Sequence, residues 1–220
     1  MKPFQAAIHG KNRIAVIAEI KRHSPSNGDF PAHPVAELMK AYEAGGAAAI
    51  SVVTDPHLFH GSLELLKEVR RATSLPIIRK DFITEEKQID ETAEAGANAI
   101  LLIARMLDTE ALRRLAAYAQ AKNLDPLIEL HNEEDFQKIS GICDIVIGIN
   151  NRDLKTFKTD VQHASRFLHK IPKEQTIVAE SAFQSRDEFA PYLGKIDAVL
   201  IGTALLTSEN PEQTLASFVH

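Results

Sequence analysis

Ile17-Ala18-Glu19-Ile20-Lys21-Arg22-His23-Ser24-Pro25-Ser26-Asn27-Gly28 is the stretch from which the fold is read. It continues an apolar run that begins at Ile14, and one carboxylate, Glu19, interrupts that run. It turns cationic at Lys21 and Arg22, then enters Ser-Pro-Ser-Asn-Gly, a composition that favours turns. A buried strand tipped with Glu, Lys and Ser ahead of a long loop delivers polar groups to a site. If other strands end in the same way, they face the same point.

Eight short apolar runs recur along the chain: Ile14–Ile20, Ala47–Val53, Leu75–Ile78, Ala97–Ile103, Pro126–Leu130, Ile145–Ile149, Thr176–Ala179 and Ala198–Ile201. Most are continuous rather than alternating, which suits strands buried on both faces. Between them, Val35–Ala44, Leu63–Ala72, Glu85–Ala95 and Thr109–Ala121 carry apolar residues at helical steps. Glu133–Ile139, Val161–Leu168, Arg186–Leu193 and Pro211–Val219 are shorter or weaker candidates. Glycines at Gly45, Gly46 and Gly96 suit helix C-terminal caps, and Asp108 suits an N-cap. Eight strand-helix alternations predict a closed parallel (β/α)8 TIM barrel, a single domain over residues 1–220.

Composition narrows the function. The chain has 220 residues, 45% of them hydrophobic and 25% charged, with a formal net charge of -5. That balance offers no global basic surface for nucleic acid. Cys143 is the single cysteine, so neither an internal disulfide nor a cysteine zinc site can form. No apolar run approaches the ~20 residues of a membrane span, and Met1 to Asn12 has no signal-peptide core. A cytoplasmic protein is expected. Nine histidines invite a metal reading. His57 and His60 flank Phe59, and His131 follows close on Glu129, but no set of metal-ligand spacing occurs, so each reads as a loop residue and no metal is expected.

In such barrels the active site stands at the C-terminal strand ends. The first run ends in Glu19 and Lys21, the third in Lys80, the fifth in Glu129, the sixth in Asn150 and Arg152, the seventh in Glu180 and Ser181, and the eighth in Gly202 and Thr203. A structural ion-pair network would account for one charged strand end. Six sharing one face point to chemistry, because buried charges are costly unless paired or used.

The first strand and loop, I-A-E-I-K-R-x-S-P-S, resemble those of the indole-3-glycerol-phosphate synthase family of tryptophan biosynthesis. The resemblance continues through Phe59-His60-Gly61-Ser62, Arg79-Lys80-Asp81-Phe82, Leu127-Ile128-Glu129, Gly148-Ile149-Asn150-Asn151-Arg152-Asp153-Leu154 and Ala179-Glu180-Ser181. It implies a carboxy-lyase that takes 1-(o-carboxyphenylamino)-1-deoxyribulose 5-phosphate to indole-3-glycerol phosphate without a cofactor. On that resemblance Lys80 is the candidate general acid and Glu129 the candidate base or dehydration partner, a role equally open to Glu19. Lys21 and Arg152 hold the anthranilate carboxylate or the phosphate, and Asn150 and Glu180 meet sugar hydroxyls. Ser24 and Pro25 from the first loop, with Phe59, Phe82, Leu101 and Leu154, bind the substrate, largely as an apolar wall for the ring. Lys21, Ser181, Ala182, Gly202 and Thr203 take the phosphate.

Two departures stand against the family pattern. Ala182 replaces the usual glycine after the seventh strand, and the N-terminal extension, which in the family carries a helix that partly covers the site, is short; Met1–Ile8 reads as its remnant. Two other readings compete: a non-catalytic or repurposed phosphosugar-binding paralogue, and a phosphoribosylanthranilate isomerase-like enzyme, for which Cys143 is poorly placed. The expected partner is a small phosphorylated substrate, and the expected assembly a monomer or weak homodimer.

Overall fold

The computed structural model describes residues 1–10, 12–151, 168–181 and 183–220. Eight parallel strands close into a barrel: β1 (Ala15–Ile20), β2 (Ala49–Val53), β3 (Ile77–Lys80), β4 (Ala99–Ile103), β5 (Asp125–Leu130), β6 (Val146–Asn150), β7 (Thr176–Glu180) and β8 (Ala198–Ile201). Each pairs with its sequence neighbours, and β1 closes the ring by pairing with both β2 and β8. All eight expected strands are present.

Strand parity divides the core in two. Ile17, Ala49, Ile78, Leu101, Leu127, Val178 and Leu200 point inward and fill the barrel. The alternate residues, such as Val16, Ile50, Ile77, Ile100 and Ile128, pack outward against the helices. Both faces are therefore apolar, which is why the runs do not alternate in sequence. The same parity places Glu19, Lys80, Glu129, Asn150 and Glu180 on the inner face at the strands' C-terminal ends. It places Arg79 on the outer face.

Around the barrel lie α2 (Val35–Ala44), α3 (Leu63–Ala72), α4 (Glu86–Glu94), α5 (Thr109–Ala121) and α6 (Glu133–Lys138), all within a residue of the expected spans. Asp108 caps α5 by accepting a hydrogen bond from the Ala111 N–H, as anticipated. Gly46 and Gly96 take positive φ, +91° and +84°, just past α2 and α4. The helix expected at Val161–Leu168 lies outside the described residues but for Leu168.

Two expectations need correction. Arg186–Leu193 is not one helix but two single 3₁₀ turns, Arg186–Glu188 and Ala190–Tyr192. Pro191 accounts for this, since a mid-segment proline removes a donor and clashes with the preceding turn. Phe189 and Tyr192 are still buried, as helical spacing suggested, and Phe189 meets Phe183 and Phe218 at 5.6 and 6.1 Å between ring centroids. The second correction concerns the N-terminus. Residues Pro3–Ile8 form a helix, α1, but it does not cover the site. Its fully buried Phe4 and Ile8 belong to the inner core with Ala15, Ala49, Ala99, Val146 and Ala198, the first inward residues of the strands. It plugs the barrel's bottom, the end opposite the site. The chain ends in a short helix, α7 (Thr203–Leu206), directly after β8, and α8 (Pro211–Val219).

Candidate active site

The inward strand ends meet at the top of the barrel. Lys21 Nζ lies 2.7 Å from Glu19 Oε1, and 5.4 Å from the centroid of the Phe30 ring beneath it. Gly202 makes this pairing possible. A Cβ there would stand 2.5 Å from Glu19 Oε1 and 3.1 Å from Lys21 Nζ. Gly148 does the same for Glu180: a side chain on it would overlap Glu180 Oε1. In register, Glu129 pairs with Gly148, and Asn150 with Glu180. Glycine on β6 thus opens room for a long acid from β7 to lie across the barrel.

Glu180 is 1% exposed, and neither carboxylate oxygen receives a hydrogen bond among the described residues. Burial raises its pKa well above the ordinary glutamate value, and the negative charges of Glu129 and Glu19 add to the rise; the positive charge of Lys80 opposes it. Burial and the neighbouring acids thus both favour the protonated form of Glu180.

Behind Glu129 stands His131, the next residue of the same parity and 4% exposed at its side chain. Its Nε2 is 3.2 Å from Glu129 Oε1, though not in hydrogen-bonding direction, and its backbone N–H donates to Asp135 Oδ2 at 2.9 Å. Arg79, the outward neighbour of Lys80, is held by Asp81, Thr54, Thr92 and the Gln88 carbonyl. That network fixes the end of β3, and Lys80 with it.

Among the described residues, two concavities open at this end. The larger is lined by Glu19, Lys21, Ser24, Pro25, Lys80 and Asn150, with Ser181, Gly202 and Thr203 on its far side. The smaller is an apolar recess between Val53, Phe59, Phe82, Leu101 and Ile103, and the Phe59 and Phe82 rings stand 6.5 Å apart. Phe59 and Lys80 border both. Ser181 has φ +66°, a left-handed backbone that costs a serine about 1 kcal/mol or more. The Asn151 N–H, donating to the Glu180 carbonyl at 2.9 Å, braces that turn.

The pattern defining the indole-3-glycerol phosphate synthase family matches residues 1–218. Among curated proteins, the chain is 44% identical over 205 residues to an indole-3-glycerol phosphate synthase of Desulfosudis oleivorans, covering 92% of this chain and 78% of that one. It is 38% identical to one from Staphylococcus saprophyticus, over 96% of this chain and 82% of the relative. A third, from Burkholderia ambifaria, is 40% identical over 98% and 85% of the two chains. The chain belongs to the indole-3-glycerol phosphate synthase family. Among solved structures, the tryptophan synthase subunit alpha of Legionella pneumophila superposes with a TM-score of 0.70 over 99% of this chain and 97% of that one. At 14% identity that likeness is one of fold.

Of the residues singled out in the sequence, the structure brings together Glu19, Lys21, Ser24, Pro25, Phe59, Lys80, Asn150, Ser181, Gly202 and Thr203 around the larger cavity. Phe82 and Leu101 stand in the recess. Glu129 and Glu180 are buried without lining its open space, and Glu180 feels the charges of Glu129, Glu19 and Lys80. Arg152, Leu154 and Ala182 lie outside the described residues. The sequence reading missed Phe183 and Gln184, which line the cavity beyond Ser181. It also missed the buried position of His131 beside Glu129. Strand parity carries that signal, because residue 131 shares the inward face of 129.

Proposed function

We propose that this chain closes the indole ring of 1-(o-carboxyphenylamino)-1-deoxyribulose 5-phosphate, releasing carbon dioxide and water to give indole-3-glycerol phosphate. The observation that carries the reading is the position of Lys80, on the border between an apolar aromatic recess and a polar cavity. The substrate has the same division: an aromatic ring at one end, a phosphorylated sugar at the other, and the reacting carbonyl between them.

The ring lies in the recess against Phe59, Phe82 and Leu101, where aromatic surface favours it. The sugar and phosphate extend across the cavity toward Ser181, Gly202 and Thr203. The Lys80 ammonium donates its proton to the ribulose carbonyl oxygen as the ring carbon attacks, and stabilises the developing alkoxide. The carboxylate leaves as carbon dioxide. A base then removes a proton from the carbon beside the nitrogen in the new ring, and the neighbouring hydroxyl leaves with a proton as water. Glu129, steadied by His131, takes that role, and Glu19 serves mainly to hold Lys21. Protonated Glu180 can donate to a sugar oxygen, which a carboxylate could not do. Lys21, with Arg152, meets the anionic ends of the substrate, and Leu154 and Ala182 complete the wall and the phosphate grip. The net change is loss of carbon dioxide and water, so no external oxidant or reductant is called for.

No helix among the described residues is long and apolar enough to cross a membrane. Among the described residues, the large apolar side chains that are exposed, Met1, Leu58, Met106 and Leu193, are scattered along the chain, which supports a monomer or weak homodimer. Membership of a biosynthetic enzyme family supports work in the cytoplasm on a small phosphorylated substrate. The test is to add the substrate to purified protein and follow indole fluorescence. A rise that saturates with substrate is expected. Substrate binding without a rise would favour the non-catalytic paralogue, and turnover of phosphoribosylanthranilate instead would favour the isomerase.

A further inference from the structure

On the outer rim of the barrel mouth, two loops approach each other behind the site. The loop after β1 forms a two-residue ribbon, His23–Ser24 against Gly28–Asp29, with His23 directly opposite Asp29. The loop after β2 brings His60 to the same place. His23 Nδ1 lies 2.9 Å from Asp29 Oδ1, and His60 Nδ1 lies 3.3 Å from that same oxygen. The two imidazoles stack with centroids 4.3 Å apart, and the three donor atoms all lie within 4.8 Å of one another.

We infer that His23, Asp29 and His60 form a binding site for a zinc-class divalent ion that ties the β1 and β2 loops together at the mouth of the barrel. Ligands ~2.0–2.2 Å from a tetrahedral zinc stand about 3.3–3.5 Å from each other. The Asp29–His60 separation already matches that edge length, the Asp29–His23 separation is somewhat shorter, and the two imidazole donors lie within 4.8 Å of each other. Two imidazole nitrogens and one carboxylate suit zinc and its neighbours in the transition series, and do not suit calcium or magnesium, which take oxygen ligands.

The frame is built in advance. The His23 N–H donates to the Phe59 carbonyl at 3.0 Å, which stitches the two loops next to the cluster. Asp55 Oδ2 accepts from the backbone of Leu58 and Phe59, and the Asp55 carbonyl accepts from Gly61, so the second loop is closed around His60. His60 is held at φ +52°, in the left-handed region that a histidine seldom enters. The side chains of Asp29 and His60 are 78% and 54% exposed, so a hydrated ion can reach them and keep water in its remaining positions. The sequence gives little sign of the set, because its members are separated by 6 and 31 residues (29 − 23 and 60 − 29) and none makes a motif with another. None of the three has a part in the proposed ring closure, so the two readings stand or fall separately.

The experiment is a zinc titration of the full, untagged, metal-stripped chain by calorimetry. One saturable site per chain is expected. His23→Gln and Asp29→Asn should each weaken it at least about tenfold, the least that even a ligand's supporting partners contribute. The double substitution His23→Gln/His60→Gln should abolish it, with circular dichroism unchanged. His57→Gln, on the same loop, should leave it intact. Zinc should also raise the melting temperature of the wild type but not of the double variant. Absence of a saturable site, equal affinity in the double variant, or equal loss in His57→Gln would each overturn the inference.

Discussion

Buried acids stand at both ends of this barrel, and the two ends treat them differently. At the bottom, Asp197 accepts the Gly10 and Ile177 N–H groups, each at 2.9 Å, and Asp125 accepts the Gln5 N–H at 3.0 Å. Burial pushes the Asp125 carboxyl up, and the Gln5 N–H pulls against it. At the top, Glu180 is equally buried but has no hydrogen-bond donor among the described residues, and it faces other acids. The bottom acids tie α1 into the barrel. The Glu180 end keeps polar capacity unspent, at a cost in stability. The bottom acids are matched with backbone donors, whereas at the top Glu19 is matched by Lys21 and Glu180 is left unmatched.

If that contrast is right, substitutions at the top should damage turnover and spare the fold. The largest effect is expected from Lys80→Met. Loss of a general acid costs ~100- to 10,000-fold in rate, so kcat should fall by that much while the melting temperature stays level or rises. Activity within a few-fold of wild type in folded protein would remove Lys80 from the chemistry. Glu129→Gln should come next. It keeps size and hydrogen bonding but removes basicity, so steady-state kinetics should show kcat falling far more than KM rises. A change confined to KM would make Glu129 a binding residue and pass the base to Glu19.

The bottom should respond in the opposite sense. Asp197→Ala strands the buried Ile177 N–H, at about 1–3 kcal/mol, and the half-buried Gly10 N–H, at somewhat less. Urea denaturation should therefore show at least ~1 kcal/mol lost, with the kcat of the folded fraction close to wild type. A fall in kcat with stability preserved would erase the distinction between the two ends.

Much of this was readable in advance because a parallel barrel writes itself into sequence plainly. Strands buried on both faces become continuous apolar runs, and a polar residue ending such a run has few places to go but the mouth. That is why Glu19, Lys80, Asn150 and Glu180 could be singled out before their positions were known. What was not readable depends on distance or on space. The α1 plug looks like any short amphipathic segment until the barrel exists for Phe4 and Ile8 to fill. The roles of Gly148 and Gly202 are to be absent where Glu180 and Glu19 lie, and an absence has no local signature. Arg186–Leu193 misled for a different reason: its apolar spacing is real and its aromatics are buried, but Pro191 forbids the helix that usually produces that spacing.

The smallest expected effect tests the electrostatics of the top directly. Glu180 has its folded pKa raised above the ordinary glutamate value of 4.5. As pH rises past about 4.5, the unfolded chain loses this proton while the folded chain keeps it. The unfolded state then binds fewer protons, and stability falls with pH until the folded pKa is passed. The loss is at most ~1.4 kcal/mol per pH unit, or roughly 3–5 °C in melting temperature for a chain of this size. Glu180→Gln keeps a neutral group of the same size and has no proton to hold. Its melting temperature should match or trail that of the wild type near pH 4.5 and gain on it steadily toward neutrality. Taking the difference between the two proteins at each pH cancels the titrating groups that do not interact with Glu180, leaving Glu180 and its neighbours Glu129, Glu19 and Lys80. A difference that stays flat from pH 4.5 to 7 would mean that Glu180 ionises as it would in water, with its charge matched in the fold. The top and bottom of the barrel would then treat their acids alike.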